Sequence, residues 1–113
     1  MDINELIIAL NNSAVDFKEV MQVIDKNYNF TPCLFKNGQI NNAADTNNGS
    51  CKIFAFGKLN NLSEQATLNA FGEFYTLDVL KNPTGNDHQN IRNFMQFGWQ
   101  GIEFEEQPLK LKQ

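Results

Sequence analysis

Pro83-Thr84-Gly85-Asn86-Asp87-His88-Gln89-Asn90-Ile91-Arg92-Asn93-Phe94-Met95-Gln96-Phe97-Gly98-Trp99 is the stretch whose reading decides the fold. Pro83 presets φ for a tight turn and Gly85 ends it. Asn86 or Asp87 then caps a helix predicted over residues 86 to 97. If Asn86 is the cap, Gln89 falls at the third helical position and reaches back to the cap amide, which makes a capping box. Ile91, Phe94 and Met95 recur at helical spacing and give the helix one apolar stripe. Gly98, just past the end, takes the left-handed conformation that stops it. The only His and the only Trp of the chain flank this helix.

Immediately upstream, Ser63 starts a helix that runs from about 64 to 77, with Glu64 at the positive end of its dipole. Leu68, Phe71, Phe74 and Tyr75 make a broad apolar face for it. Gly72 lies inside this predicted helix, where a glycine costs about 1 kcal/mol relative to alanine and commonly permits close approach of another backbone. Val79 and Leu80 continue the core contact up to Asn82-Pro83. Downstream, Ile102-Glu103-Phe104 alternates apolar and polar residues as a half-buried strand does. Residues 105 to 108 read as a turn, and Leu109 with Leu111 as a last short strand or strap.

Toward the N-terminus, Ile3, Leu6, Ile7 and Leu10 recur at steps of three and four, so a short amphipathic helix ends at Asn11-Asn12. Ser13 and Asp16 compete to cap a second helix. Asp16 with Glu19 matches the reciprocal capping pattern, and Phe17, Val20, Met21 and Ile24 form the stripe. That helix ends near residues 27 to 29. Pro32 forbids a continuing helix, and Cys33-Leu34-Phe35 reads as a strand. Lys36-Asn37-Gly38-Gln39 carries the Asn-Gly pair of a tight hairpin turn, with Gln39-Ile40 returning. A lone hairpin is marginal in water, so residues 102 to 104 are its expected third strand. Residues 41 to 49 form a polar loop. Cys51, Phe54 and Ala55 suit a helical face capped by Ser50 and ended by Asn60-Asn61, although Ile53 and Ala55 would also suit a strand. The expected fold is α+β: about five helices around one core, a small two- or three-stranded antiparallel sheet, and a single domain over residues 1 to 113.

The run from Gly85 to Met95, followed by Gly98-Trp99-Gln100-Gly101-Ile102 and Phe104, resembles the C-terminal signature of the HopJ family of type III effector proteins. The likeness extends back through Phe71-Gly72-Glu73, Tyr75, Asp78-Val79-Leu80, Asn82-Pro83 and Asn48-Gly49-Ser50-Cys51-Lys52, so it covers nearly the whole chain. It implies a bacterial protein associated with secretion into plant hosts, and it brings no activity or active site with it. The chain departs from the family at Thr76, where a basic residue commonly follows the tyrosine; any charge pairing built there with Glu73 or Asp78 is lost.

Composition narrows the function classes. With 113 residues, 42% hydrophobic content and 10 Phe, the chain supplies one packed core. A net charge of −4 and no basic patch count against nucleic acid, whose phosphates draw on clustered Lys and Arg. No apolar run approaches the roughly 18 residues that span a bilayer. Asp2 and Glu5 stand where the basic region of a secretory signal would be, so the expected location is the bacterial cytoplasm, with reduced Cys33 and Cys51 thiols. Residues 1 to 10 also read as acidic helix, unlike the flexible, acid-poor leaders of type III substrates.

Asp87, His88 and Arg92 are the candidate catalytic residues. A helix start keeps the imidazole neutral and available as a base, and Arg92 lies one turn further on. The structural alternative, which is preferred, is that Asp87 caps, His88 makes one hydrogen bond beside the core, and Arg92 pairs with Glu73 or Asp78. Cys33, Cys51 and His88 form the only soft-ligand set and have no recognised metal spacing, so no metal or cofactor is expected. A Cys nucleophile in an apolar run is inert. Trp99, Phe97, Phe94 and Tyr75 could line an aromatic pocket but more often build a small core. Phe97 lies off the stripe and, with Trp99 and Tyr75, is the candidate contact for a partner protein. Two functions follow: a small interaction protein of HopJ type, or a compact enzyme or ligand-binding protein using Asp87, His88 and Arg92.

Overall fold

Two amphipathic helices, α1 (Ile3–Asn12) and α2 (Phe17–Asn27), open the computed structural model, which describes residues 1 to 113. Asp2 accepts a hydrogen bond from the Glu5 N–H while Glu5 accepts from the Asp2 N–H, so a reciprocal box ties off α1 at a place the sequence reading passed over. Asp16 does precede α2, but its side chain makes no capping hydrogen bond, and the box expected with Glu19 is not formed. Leu6 and Leu10 from α1 and Val20, Val23 and Ile24 from α2 enter the core.

The chain leaves α2 straight into a strand that the sequence reading missed, β1 (Tyr28–Phe30). The hairpin follows as β2 (Phe35–Asn37) and β3 (Ile40–Asn42), two residues later than the predicted Cys33-Leu34-Phe35 strand. Burial already alternates from Cys33, with Leu34 and Lys36 pointing out, but the ladder that pairs this strand with its neighbours begins only at Phe35. The turn is Gly38-Gln39, with Gly38 at φ +60, a conformation that suits glycine at the first position of a two-residue turn.

A polar loop then leads to α3 (Asn48–Leu59), which confirms the helical reading of Cys51 and Phe54 but starts two residues before the expected Ser50 cap. After it, α4 (Glu64–Asn69) is capped as predicted by Ser63, whose hydroxyl accepts from the Ala66 N–H at 3.0 Å. The predicted continuation to residue 77 fails. Gly72 adopts φ +57 and breaks the helix, and the chain resumes as a π-helical segment, Phe74–Val79. The break serves packing: a Cβ on Gly72 would lie 2.6 Å from the Val15 carbonyl oxygen and 2.7 Å from the Phe17 nitrogen. The loop between α1 and α2 is therefore pressed against this glycine. Val15 also donates its N–H to the Asn69 carbonyl, and the Asn69 side chain donates to the Leu10 carbonyl at 2.8 Å.

The signature helix is α5 (Gln89–Phe97), followed by a 3₁₀ turn, Gly98–Gly101, and by β4 (Ile102–Phe104) and β5 (Leu109–Leu111). Neither Asn86 nor Asp87 is its N-cap; His88 holds that position, and Gln89 donates to the Asn86 carbonyl instead of closing a box. Its buried face is Asn90, Ile91 and Phe94, while Met95, expected in the stripe, is 46% exposed. Gly98 ends the helix at φ +62 and ψ −156, an extended glycine geometry in place of the expected left-handed helical one. As predicted, β4 joins the hairpin as its third antiparallel strand, in the order β3-β2-β4. The strap β5 pairs with β1, Tyr28 opposite Leu111 and Phe30 opposite Leu109, to make a second small sheet. At the centre, Phe54 packs against Phe35, Phe71 and Phe94, with ring centroids 6.2, 5.5 and 5.0 Å away. The α+β expectation holds, with five α-helices, a π-helical and a 3₁₀ segment, and sheets of two and three strands. No helix is long and apolar enough to cross a membrane.

Gly72→Ala is expected to lower unfolding stability by about 2 kcal/mol or more, because the added methyl meets backbone atoms and the positive φ strains any L-residue. Urea denaturation checks this; an unchanged midpoint would contradict the close approach.

Candidate functional site

Three of the elements above converge on one surface cleft of about 390 Å³. The hairpin contributes Ile40 and Asn42, the start of α3 contributes Asn47, Gly49 and Ser50, and the start of α5 contributes His88 to Ile91. Phe17, Phe71 and Phe74 supply its aromatic floor. No Lys, Arg, Asp or Glu lines it.

Asparagine amides hold these walls in place. The Asn90 Nδ2 donates to Asn42 Oδ1 at 3.0 Å, and Asn42 Nδ2 donates back to Asn90 Oδ1 at 3.2 Å. Asn37 Nδ2 donates to both the carbonyl and the Oδ1 of Asn90, at 2.8 and 3.0 Å. Asn47 Nδ2 reaches Asn42 Oδ1 at 2.8 Å, which brings the start of α3 into the network. Asn37, Asn42 and Asn90 are buried, where an amide is tolerated because it is hydrogen-bonded. One atom breaks the rule: Asn37 Oδ1 has no partner. The sequence reading placed Asn42 in a polar loop and missed the cluster. Its signal was the presence of Asn at 37 and 42, at positions where strand alternation calls for apolar residues.

His88 stands in the cleft wall in an unusual state. Its backbone is left-handed, with φ 49 and ψ 49, and its side chain does not cap α5. Instead the imidazole Nε2 lies 3.0 Å from Asp78 Oδ2, and the ring stacks on Phe74 with centroids 5.2 Å apart and planes 34° apart. A carboxylate accepts only, so Nε2 carries the proton of this bond, and Nδ1 has no hydrogen-bond partner in the chain. The His88 side chain is 31% exposed.

Asp87 and Arg92 do not join it in the cleft lining. Arg92 is 13% exposed and turned into the preceding loop, donating from Nε to the Asp87 carbonyl at 2.7 Å and from Nη1 to the Asn82 carbonyl at 2.9 Å. Its Nη2 pairs with Asp87 Oδ1 at 2.6 Å, not with Glu73 or Asp78 as expected; Asp78 is committed to His88. Hydrogen bonding from Arg92 holds the Asp87 carboxyl below its ordinary range. The guanidinium thus gathers residues 82 to 87 into one loop, and Gly85 leaves room for it, since a Cβ there would lie 2.8 Å from Nη2.

The aromatic candidates each make contacts within the fold. Tyr75 is buried, with its hydroxyl accepting from Gln65. Trp99 packs edge-on to Phe94 and donates its indole N–H to the Leu62 carbonyl at 3.0 Å. Phe97, off the apolar stripe of its helix, is half-buried against Gly38 and Gly101. Cys33 and Cys51 are both buried free thiols, and they form no three-ligand cluster with His88. Burial pushes the Cys51 thiol up to about 12.

Comparison with known proteins places the chain as a whole. Residues 3–109 match the family described as HopJ type III effector protein. The fold is similar to the crystal structure of the unknown function protein VPA0580, with a TM-score of 0.95 and 54% identity over 99% of this chain and 95% of that one. No curated protein matches.

Two pH effects follow. A depressed carboxylate stabilises the fold above its unfolded pKa, so the stability gap between wild type and Asp87→Asn should be constant above about pH 5 and close as pH falls below 3.8. Acid titration of both proteins by circular dichroism reads this. A raised thiol acts in the other direction: stability linked to Cys51 is intact below pH 9.0 and is lost between pH 9.0 and about 12, as the unfolded chain ionises first. Cys51→Ala should remove that alkaline slope in urea titrations.

Proposed function

The chain belongs to the HopJ family, and on that footing we propose that it is a small recognition protein that holds an uncharged, extended segment of another macromolecule in the His88 cleft. One observation carries the reading: the cleft is open at the surface, floored by phenylalanine rings and lined by no Lys, Arg, Asp or Glu. Such a lining offers no ion pair for selecting an acidic or a basic ligand. An aromatic floor takes apolar side chains, and amide walls match the alternating donors and acceptors of a peptide backbone. The volume of about 390 Å³ suits a few residues of such a segment. The family description supports a partner met in a host cell after delivery, and fusing the first residues to a translocation reporter tests that part directly.

The partner class is tested by display. Peptides selected on the wild-type protein from a random library should be uncharged at their centre and should bind Ser50→Trp, which fills the cleft mouth, at least tenfold more weakly. Equal binding to both proteins, with matching amide spectra to show that the variant is folded, would remove the cleft from the recognition surface.

A further inference from the structure

We infer that this cleft is also a hydrolytic site for uncharged acyl esters, in which His88 is the proton acceptor and Asp78 its positioning residue. The inference rests on the reading of the cleft as a ligand site and adds a reaction to it.

A residue recruited only to start α5 would lend its side chain to the first-turn N–H groups, as Ser, Thr, Asn and Asp do. His88 does not: it accepts a left-handed backbone, and its imidazole turns away from the helix start to Asp78. Backbone strain of this kind persists where the surroundings impose it, and functional sites are where it gathers. The bond from Nε2 to Asp78 at 3.0 Å fixes the tautomer, and the Phe74 ring fixes the rotation. What remains is a held imidazole with an unpaired Nδ1 in the wall of an open cleft, which is how a general base is presented. The charged groups around the imidazole are Asp78, Asp87 with Oδ2 at 3.9 Å from Nε2, and Arg92 behind Asp87. Two carboxylates so near, and no cation in the lining, disfavour anionic substrates and favour a neutral acyl group.

Ser50 shares the cleft but makes no hydrogen bond with His88, so water is the nucleophile. Its proton passes to Nδ1 as its oxygen bonds to the acyl carbon. The ester C–O bond then breaks, and the departing alkoxide takes the proton from Nδ1, giving a carboxylic acid and an alcohol from ester and water. Gly49 and Ser50, in the first turn of α3, also line this cleft, and their N–H groups have no acceptor in the chain, so in this reaction they are the donors available to the developing oxyanion.

The test uses the full chain and p-nitrophenyl esters of neutral acyl groups from acetyl to hexanoyl. Wild type should turn over at least one of them about a hundredfold faster than equimolar imidazole, and His88→Asn should lose about a hundredfold or more. Asp78→Asn should lose about tenfold and displace the pH–rate profile. In wild type the ¹⁵N spectrum of the ring should show one Nε2–H tautomer, and in Asp78→Asn a mixture, a change that a purely structural pair would not couple to rate. Turnover no faster than imidazole, or a His88→Asn rate equal to wild type, would overturn the inference. Peptide binding that persists without ester turnover would leave the recognition reading standing and remove the hydrolytic one; turnover unaffected by Ser50→Trp would remove the cleft as its location.

Discussion

The reciprocal amide pair of Asn42 and Asn90, extended by Asn37 and Asn47, is the constraint on which the arrangement of this protein depends. The phenylalanine core around Phe54 supplies cohesion, but apolar contact is non-directional and would tolerate the hairpin sliding along α5. Buried amides do not tolerate it, because a slip of one residue would strand several donors and acceptors at once. The network therefore sets where the hairpin, α3 and α5 meet. The cleft lies at that meeting point, and its walls are the residues that these amides hold together.

Within the signature, neighbouring residues divide the labour in a way that spacing alone does not reveal. Asp87 and Arg92 close the loop of residues 82 to 87, and Gly85 makes room for the guanidinium. His88 faces the other way, toward Asp78 on the π-helical segment. That segment turns as it does because Gly72 halted α4. The imidazole, the break in α4 and the loop between α1 and α2 are thus one chain of consequences.

Periodicity made most elements readable. The stripes of α1 and α2, the Ser63 cap, the hairpin and the alternation of Ile102 and Phe104 are local patterns, and they were legible because local spacing decides them. What stayed hidden was decided elsewhere. Nothing near Gly72 announces that the Val15 carbonyl will press on it, so the glycine read as a flaw inside a helix when it was the end of one. Nothing near Tyr28 announces Leu111. Asn86 and Asp87 are good caps by type, yet the loop closed by Arg92 carries them past the helix start and leaves His88 there. Of the site, His88 was legible as a lone ionisable group at a helix start; Asp78, Ser50 and the asparagines come together only through tertiary contact.

The pairing of β1 with β5, and of β2 with β4, joins residues near the beginning of this sequence to residues beyond position 100. Leu109 is fully enclosed by this closure. During synthesis, then, the first two thirds of the sequence emerge with their strand edges unsatisfied and part of the core uncovered, and cooperative closure waits for the distal strands.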